Sequence, residues 1–508
     1  MSKQKFKDTT NKVSLEINQI SKDTIDKVLQ EINQNLIERE EAVAMSLLGA
    51  LSHQNVFMLG LPGVGKSLIA RRIASVFEGK YFEYLMNKFS APEDLFGPVS
   101  ITALKNDTFS RKIDGFLPDA EFAFLDEIWK SSPAILNSLL TISNERKYKN
   151  GVENIDVPLS YIISASNETP PPNQGLDALY DRFPIRIYVA PIENTSNRTE
   201  YLKNSTNMEF KPEHKLKISD IQQFNKDVSK IQFSNQALEA FMACIDECLE
   251  KGIYISDRRQ KQIITTLKYA ALYSGQEKVD THYLTLLRYF LWDKEEDRET
   301  VEDILKNVLE VSLTPENFNL AAYKEKFDET KKYIESETVY QKDVPSGKLI
   351  ETEIQDRYSS KYNCYKINDK LAIRCYDNEL WSLNGGKLYQ RLANSTITEN
   401  TETIKYDGKT YTLPREILHK KGDPKSGILA KTVIEMNDKT NKFKDTIDKA
   451  ITEYSAYSED VLKAAGNFIK GEAEEKLEHY LDENKALLAS LKIDIEKLFE
   501  KVKQITTK

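Results

Sequence analysis

Apolar positions recur at helical spacing over residues 22–54 (Ile25, Val28, Leu29, Ile32, then Ala42, Met45, Leu48, Leu51), with charged residues between them. This predicts two helices leading into a strand. Four or five short apolar runs follow, at Val56–Leu59, Tyr81–Met86, Phe122–Leu125, Tyr161–Ala165 and Ile185–Val189. Segments of helical or loop character separate them. That alternation predicts a parallel sheet covered by helices on both faces. Residues 216–311 read as consecutive amphipathic helices. Helical patterning continues over 308–330 and returns over 432–508. The last stretch carries heptad-like apolar positions (Leu477, Leu481, Leu488, Leu491, Ile495, Leu498, Val502). Between them, over 336–430, Thr, Tyr, Asn and Gly rise. Alternation appears at Tyr365–Ile367, Leu371–Tyr376 and Thr410–Leu413, with turn signals at Asn384-Gly385-Gly386 and Asp407-Gly408. A small β-rich domain inserted between two helical segments is the expectation. Its aromatics Tyr358, Tyr362, Tyr365, Trp381 and Tyr389 suit an interface as well as a strand.

Composition narrows the class. A chain of 508 residues has room for about three domains. No run approaches the ~18 apolar residues of a membrane span, and Met1–Ile20 has no apolar core of the kind a secretory signal carries. The four cysteines (Cys244, Cys248, Cys364, Cys375) are too few for a disulfide scaffold. Cys244 and Cys248 fall at i, i+4 in an apolar helical stretch and read as buried free thiols. A cytoplasmic location is the expectation. The net charge of −8 disfavours nucleic acid as a bulk partner. No H-E-x-x-H and no G-x-S-x-G occurs.

One motif carries chemistry by itself. Gly60, Leu61, Pro62, Gly63, Val64, Gly65, Lys66 and Ser67 match G-x-x-x-x-G-K-[ST], with Leu68 opening the helix that follows and an apolar strand before. Glycines let backbone N–H groups wrap phosphate oxygens, and the helix N-terminus adds partial positive charge. Lys66 is placed to reach the terminal phosphates and Ser67 to offer its hydroxyl to Mg²⁺. About 60 residues on, Phe122–Leu125 ends in Asp126-Glu127. One carboxylate on the metal side and one on the water side suffice for phosphoryl transfer. Tyr161–Ser166 ends in Asn167, a candidate hydrogen-bond partner for phosphate or water. Arg182, in Asp181-Arg182-Phe183, is a candidate charge donor to a neighbour's nucleotide. Ser256-Asp257-Arg258-Arg259 opens a helix, and either arginine could reach phosphate.

Together these stretches resemble AAA+ ATPases, and within them the MoxR family and its RavA (regulatory ATPase variant A) group. The resemblance rests on Leu59–Ser67, Phe82–Met86, Phe89–Gly97, Phe124–Lys130, Pro133–Leu140, Ser143–Arg146, Ala165–Glu168, Ala178–Phe183 and Ser256–Arg259. It is strong over 22–310 and one of layout beyond. It implies a Walker A loop at Gly60–Ser67, a Walker B pair at Asp126 and Glu127, sensor 1 at Asn167, an arginine finger at Arg182 and sensor 2 at Arg258, acting on ATP with Mg²⁺. Arg146 is a further candidate intersubunit arginine. Phe96–Gly115 corresponds to an insert within the second helix, and Lys147–Pro158 to a hairpin before sensor 1. The implied fold is an α/β P-loop module with an all-α lid, then a helical stalk holding an inserted β-rich domain. The implied domains are 1–195, a helical lid at 196–310, a discontinuous stalk at 311–335 and 431–508, and a LARA-like insert at 336–430. The resemblance further implies a homo-oligomer, a hexamer, that remodels a protein client recognised through 336–430, with a von Willebrand factor A domain protein as a possible partner. A nucleotide-gated scaffold and a nucleic-acid motor are the alternatives.

Overall fold

The computed structural model describes residues 20–171, 175–203, 210–355, 361–368, 371–374, 379–382, 386–391, 403–406, 409–425 and 427–505. The first helix, α1 (Lys22–Asn33), starts where the Ser21 side chain accepts the Thr24 N–H, and it buries the four periodic residues Ile25, Val28, Leu29 and Ile32. The second, α2 (Glu40–Leu51), is buried along almost its whole length. Then come β1 (Val56–Leu59), α3 (Lys66–Ser75), β2 (Tyr81–Leu85), β3 (Phe122–Asp126), α4 (Pro133–Glu145), β4 (Tyr161–Ser166) and β5 (Ile185–Tyr188). The five strands form one sheet in the order β2-β3-β4-β1-β5. Every neighbouring pair is parallel. All five apolar runs form strands. Those at the centre are apolar without alternation because both of their faces are covered.

The lid follows: α5 (Asn235–Glu250), α6 (Asp257–Tyr273), a 3-10 stretch (Thr281–Tyr289) and α7 (Asp297–Ser312). Cys244 and Cys248 are buried, unpaired thiols on α5, pushed up by burial, Cys248 to about 11. The helical stretch expected over 308–330 is interrupted. α7 stops at Ser312, and α8 (Leu320–Thr338) begins after a segment containing Pro315. The C-terminal stretch also divides, into α9 (Ala430–Ala464) and α10 (Glu472–Lys503). Gly466 and Gly471, both left-handed, lie in the break. All seven heptad-like positions of α10 are buried.

The chain forms two compact units. One runs to Leu320 and takes in Lys449–Ser490; the other holds Ala321–Asp448 and Leu491–Lys508. This division does not coincide with the expected boundary at residue 431. In the first unit Tyr454 donates to the Leu313 carbonyl (2.9 Å), and the Asn484 amide to that of Glu310 (2.7 Å). These contacts place 449–490 against the lid. In the second unit Lys492 pairs with Asp448 at 2.7 Å and Phe327 meets Phe443. Its β-rich part has a five-stranded antiparallel sheet from Glu351 to Arg391, a long pair Val339–Leu349 with Arg415–Pro424, and a hairpin Thr403–Tyr406 with Lys409–Thr412. Its core is Leu349, Ile367, Ile373, Ile404 and Leu413. The turns at 384–385 and 407–408, with Tyr358 and Cys375, lie outside the described residues. Only the backbone is described for Tyr362, Trp381 and Tyr389.

Candidate active site

Three adjacent strands end at one place. Because β4 lies between β1 and β3, their carboxyl ends bring the phosphate loop, Asn167 and the Asp126-Glu127 pair side by side. The Gly60 N–H donates to the Ser166 carbonyl (3.2 Å), so the loop leaves the sheet beside β4. Gly63 and Gly65 are left-handed, φ +83° and +95°, with open space where a Cβ would stand. That geometry leaves a concave run of backbone leading into α3.

The side chains interlock across long sequence separations. Lys66 Nζ donates to the Gly60 carbonyl (2.6 Å), the Leu61 carbonyl (3.1 Å) and Asn167 Oδ1 (2.9 Å). Burial draws the Lys66 pKa below the usual lysine range, opposed by Asp126 and Glu127. Ser67 Oγ donates to Asp126 Oδ2 at 3.1 Å. Asn167 Nδ2 donates to Glu127 Oε1 at 2.8 Å, and Lys130 sits 3.0 Å from Glu127 Oε2. Glu127 is itself left-handed, φ +53°. For a residue with a Cβ this is a strained position of the kind found at working sites.

These residues fit a magnesium nucleotide. Ser67 and Asp126 supply hard oxygen donors next to each other, as Mg²⁺ requires. Lys66 holds neutral oxygens that phosphate oxygens could replace. Among the described residues there is no cluster of three or more His, Cys, Asp or Glu able to hold a metal unaided.

A cavity of about 410 Å³ opens beside the loop, walled by Ile37, Leu61, Leu68, Pro191, Ile192 and Tyr201 among others. Asn35, Arg39 and Arg198 add polar groups to this largely apolar wall beside the phosphate loop. Sequence reasoning found Leu61–Gly65 and Leu68 but missed Ile37, Pro191, Ile192, Tyr201 and the other lining residues. The only signals were the 35–39 link between two helices and a proline after β5.

Arg182 and Arg258 do not line this cavity. The Arg182 backbone is held by the Asn55 amide (3.0 Å), and burial, then Arg258, lower its guanidinium pKa. Arg258 is half exposed and lies 3.9 Å from Asp181, whose carboxylate also accepts from the α6 cap Ser256 (2.9 Å). The structure therefore brings Arg182 and Arg258 together beside Asp181. Arg259 is different. It is fully buried against Asp293 (2.6 Å) and the Trp292 carbonyl (2.8 Å), with Arg186 of β5 on the same carboxylate. This joins sheet and lid and removes Arg259 from the phosphate candidates.

Arg146 also departs from expectation. Its guanidinium turns inward, donates to the Ser160 carbonyl (3.0 Å), and is drawn down to about 10 by burial. It braces its own subunit beside His53, which meets Ser160 Oγ at 2.7 Å.

The hairpin before β4 is present as Lys147–Asn150 and Glu153–Asp156. The 96–115 insert is a loop closed by a Val99–Arg111 bridge around a short helix, Ile101–Lys105. The two are tied together. The Arg111 N–H donates to Asn150 Oδ1 (2.7 Å), and Asn150 Nδ2 returns a bond to the Arg111 carbonyl (3.1 Å). Gly151 is required there, since a Cβ would lie 1.8 Å from the Phe109 carbonyl oxygen. The joint tip presents Val152, 95% exposed.

A five-stranded parallel sheet with a glycine-lysine loop, a strand-end Asp-Glu pair, a strand-end asparagine and a helical lid defines an AAA+ nucleotide-binding module. Sequence comparison agrees. Residues 23–230 match the family model described as the MoxR domain in the MoxR-vWA-beta-propeller ternary systems, and residues 235–305 match an AAA lid domain. The chain belongs to the MoxR family of AAA+ ATPases. It is 40% identical over 263 residues to an uncharacterized protein of Methanocaldococcus jannaschii, covering 51% of this chain and 69% of that protein. It is 25% identical over 158 residues to the chaperone MoxR1 of Mycobacterium tuberculosis, covering 30% of this chain and 41% of that one. A solved chain from Cytophaga hutchinsonii, described as a candidate ATPase, overlaps 56% of this chain and 94% of its own at 18% identity, with a TM-score of 0.46.

Proposed function

We propose that this protein is a RavA-like ring ATPase, a hexamer, that hydrolyses ATP to remodel or activate a protein client. The observation that carries this reading is the chain of contacts Ser67–Asp126 and Glu127–Asn167–Lys66, which gathers donor, metal-side and water-side groups at one strand edge. In this reading Lys66 and the loop N–H groups bind the phosphates, and Ser67 and Asp126 hold Mg²⁺. The metal, when bound, neutralises charge on the phosphate oxygens. Glu127, released from Asn167, orients and deprotonates the attacking water. Arg182 serves a neighbour's nucleotide, so hydrolysis requires assembly, and Arg258 beside it acts on its own subunit's nucleotide or on the neighbour's. Nucleotide-driven shifts between sheet and lid would then act on the client.

The 336–430 region is the proposed client-binding arm. The matched family description supports partners with a von Willebrand factor A domain and a β-propeller. Among the described residues no helix is long and apolar enough to cross a membrane, and the proposed setting is the cytoplasm.

Phosphate release and light scattering with ATP and Mg²⁺ test the reading. Glu127→Gln should assemble and bind ATP with turnover lowered at least ~100-fold, the scale of a lost general base. Wild-type turnover in that variant, or equal turnover by a monomer, refutes it. Full client activation by the ATP-trapped variant would make the protein a nucleotide-gated scaffold.

A further inference from the structure

Glu38-Arg39 lies in the link before α2 and belongs to none of the motifs above. Arg39 is only 8% exposed, and its Nε donates to the Val64 carbonyl at 3.0 Å. Val64 stands between the two left-handed glycines of the phosphate loop. In a trans peptide the C=O and N–H point in opposite directions. A Val64 carbonyl turned to Arg39 therefore aims the Gly65 N–H to the opposite side. Gly65 is the N-cap of α3, where unpaired N–H groups converge on an anion. Glycine on either side gives that peptide little steric resistance to flipping, so a contact from outside the loop must hold it.

Glu38 acts on the opposite wall. Its carboxylate accepts the N–H groups of Glu193 (2.8 Å) and Asn194 (3.2 Å) and the Asn197 side chain (2.9 Å). These bonds fasten the segment that carries Pro191, Ile192 and Tyr201. Glu38 is left-handed, φ +55°. That strained turn lets two successive side chains reach two different walls. Among the described residues no carboxylate lies within ion-pair distance of Arg39, which itself lines the cavity.

We propose that Glu38-Arg39 is a positioning clamp for the nucleotide site, with Arg39 setting the Val64–Gly65 peptide in its phosphate-binding orientation and Glu38 holding the facing wall. The inference rests on the loop being a nucleoside triphosphate site. Neither residue is catalytic, since both act through others.

Steady-state ATPase kinetics on the full chain give the test. An orientation held equally in ground and transition state is uniform binding, so its loss raises KM and spares kcat. Arg39→Ala should raise KM for ATP about tenfold, the loss of one charge-assisted bond, with kcat kept within about threefold. Arg39→Lys, able to reach one carbonyl, should recover most of that loss and remains the test should the alanine variant not fold, with KM then about threefold above wild type. A merely structural role would lower kcat through a smaller active fraction and leave KM unchanged. That result, or a KM for both variants within error of wild type, overturns the proposal. Lys66→Ala run in parallel separates the two readings. If it binds nucleotide as wild type does, the site assignment fails; if it loses binding while Arg39→Ala does not, only the clamp fails.

Discussion

Glu41 is placed to make stability depend on pH in an unusual direction. It lies in the first turn of α2, its carboxyl enclosed where α2 meets the start of α10. Oε2 accepts the Glu472 N–H at 3.3 Å. Burial first, and then the neighbouring Glu472 carboxylate, push its pKa from 4.5 up to about 7, against the opposing pull of Arg288, the Tyr289 hydroxyl and that N–H. Arg288 is already shared with Glu302 and with Glu472, at 3.6 Å. Raising the carboxyl from 4.5 to about 7 corresponds to roughly 3 kcal/mol. Because the residue keeps some contact with water, about 2 kcal/mol is the better expectation. The folded-state pKa is raised, so the folded protein keeps a proton that the unfolded chain has released. This contribution is complete below about pH 4.5 and is lost as pH rises to about 7. Glu41→Gln keeps the acceptor and can never ionise. At about pH 8 it should be more stable than wild type by about 2 kcal/mol, with the difference fading towards about pH 4.5. Urea denaturation of both proteins across that range measures it, following the fluorescence of buried Trp129 and Trp292. A difference that does not change with pH, or a glutamine variant less stable at about pH 8, would show that Glu41 is held as a carboxylate by Arg288, and the reasoning would fail.

Other expectations follow from single contacts. Arg182→Ala should bind ATP nearly as wild type yet lose turnover by ~10³-fold or more, the scale of a supplied arginine; wild-type turnover would remove Arg182 from the site. Asn150→Ala removes both bonds between the hairpin and the 96–115 loop. Hydrogen exchange at the Arg111 amide should then rise at least ~10-fold, and unchanged protection would mean the two inserts are not coupled through Asn150.

The strands, the phosphate loop and the carboxylate pair were readable from the chain because each is local. A run of apolar residues with no polar alternation can be satisfied only by burial on both faces, and Gly63 and Gly65 mark backbone that no other residue adopts easily. The breaks around Pro315 and Gly466 were also written locally, but the apolar period runs through them and hid them. Arginine roles were the least legible. Arg146, Arg258 and Arg259 look alike in sequence, yet one braces Ser160, one stays at the surface and one is sealed against Asp293.

The sequence by itself determined the elements and the kind of chemistry, since periodicity and motif spacing act over a few residues. Tertiary structure alone decided which groups meet. Lys66 and Asn167 lie 101 residues apart and touch because β1 and β4 are neighbours. The cavity beside the phosphate loop joins the 35–39 link to the segment after β5. Such pairings depend on strand order and on the direction each buried side chain takes, and a pattern along one dimension carries neither.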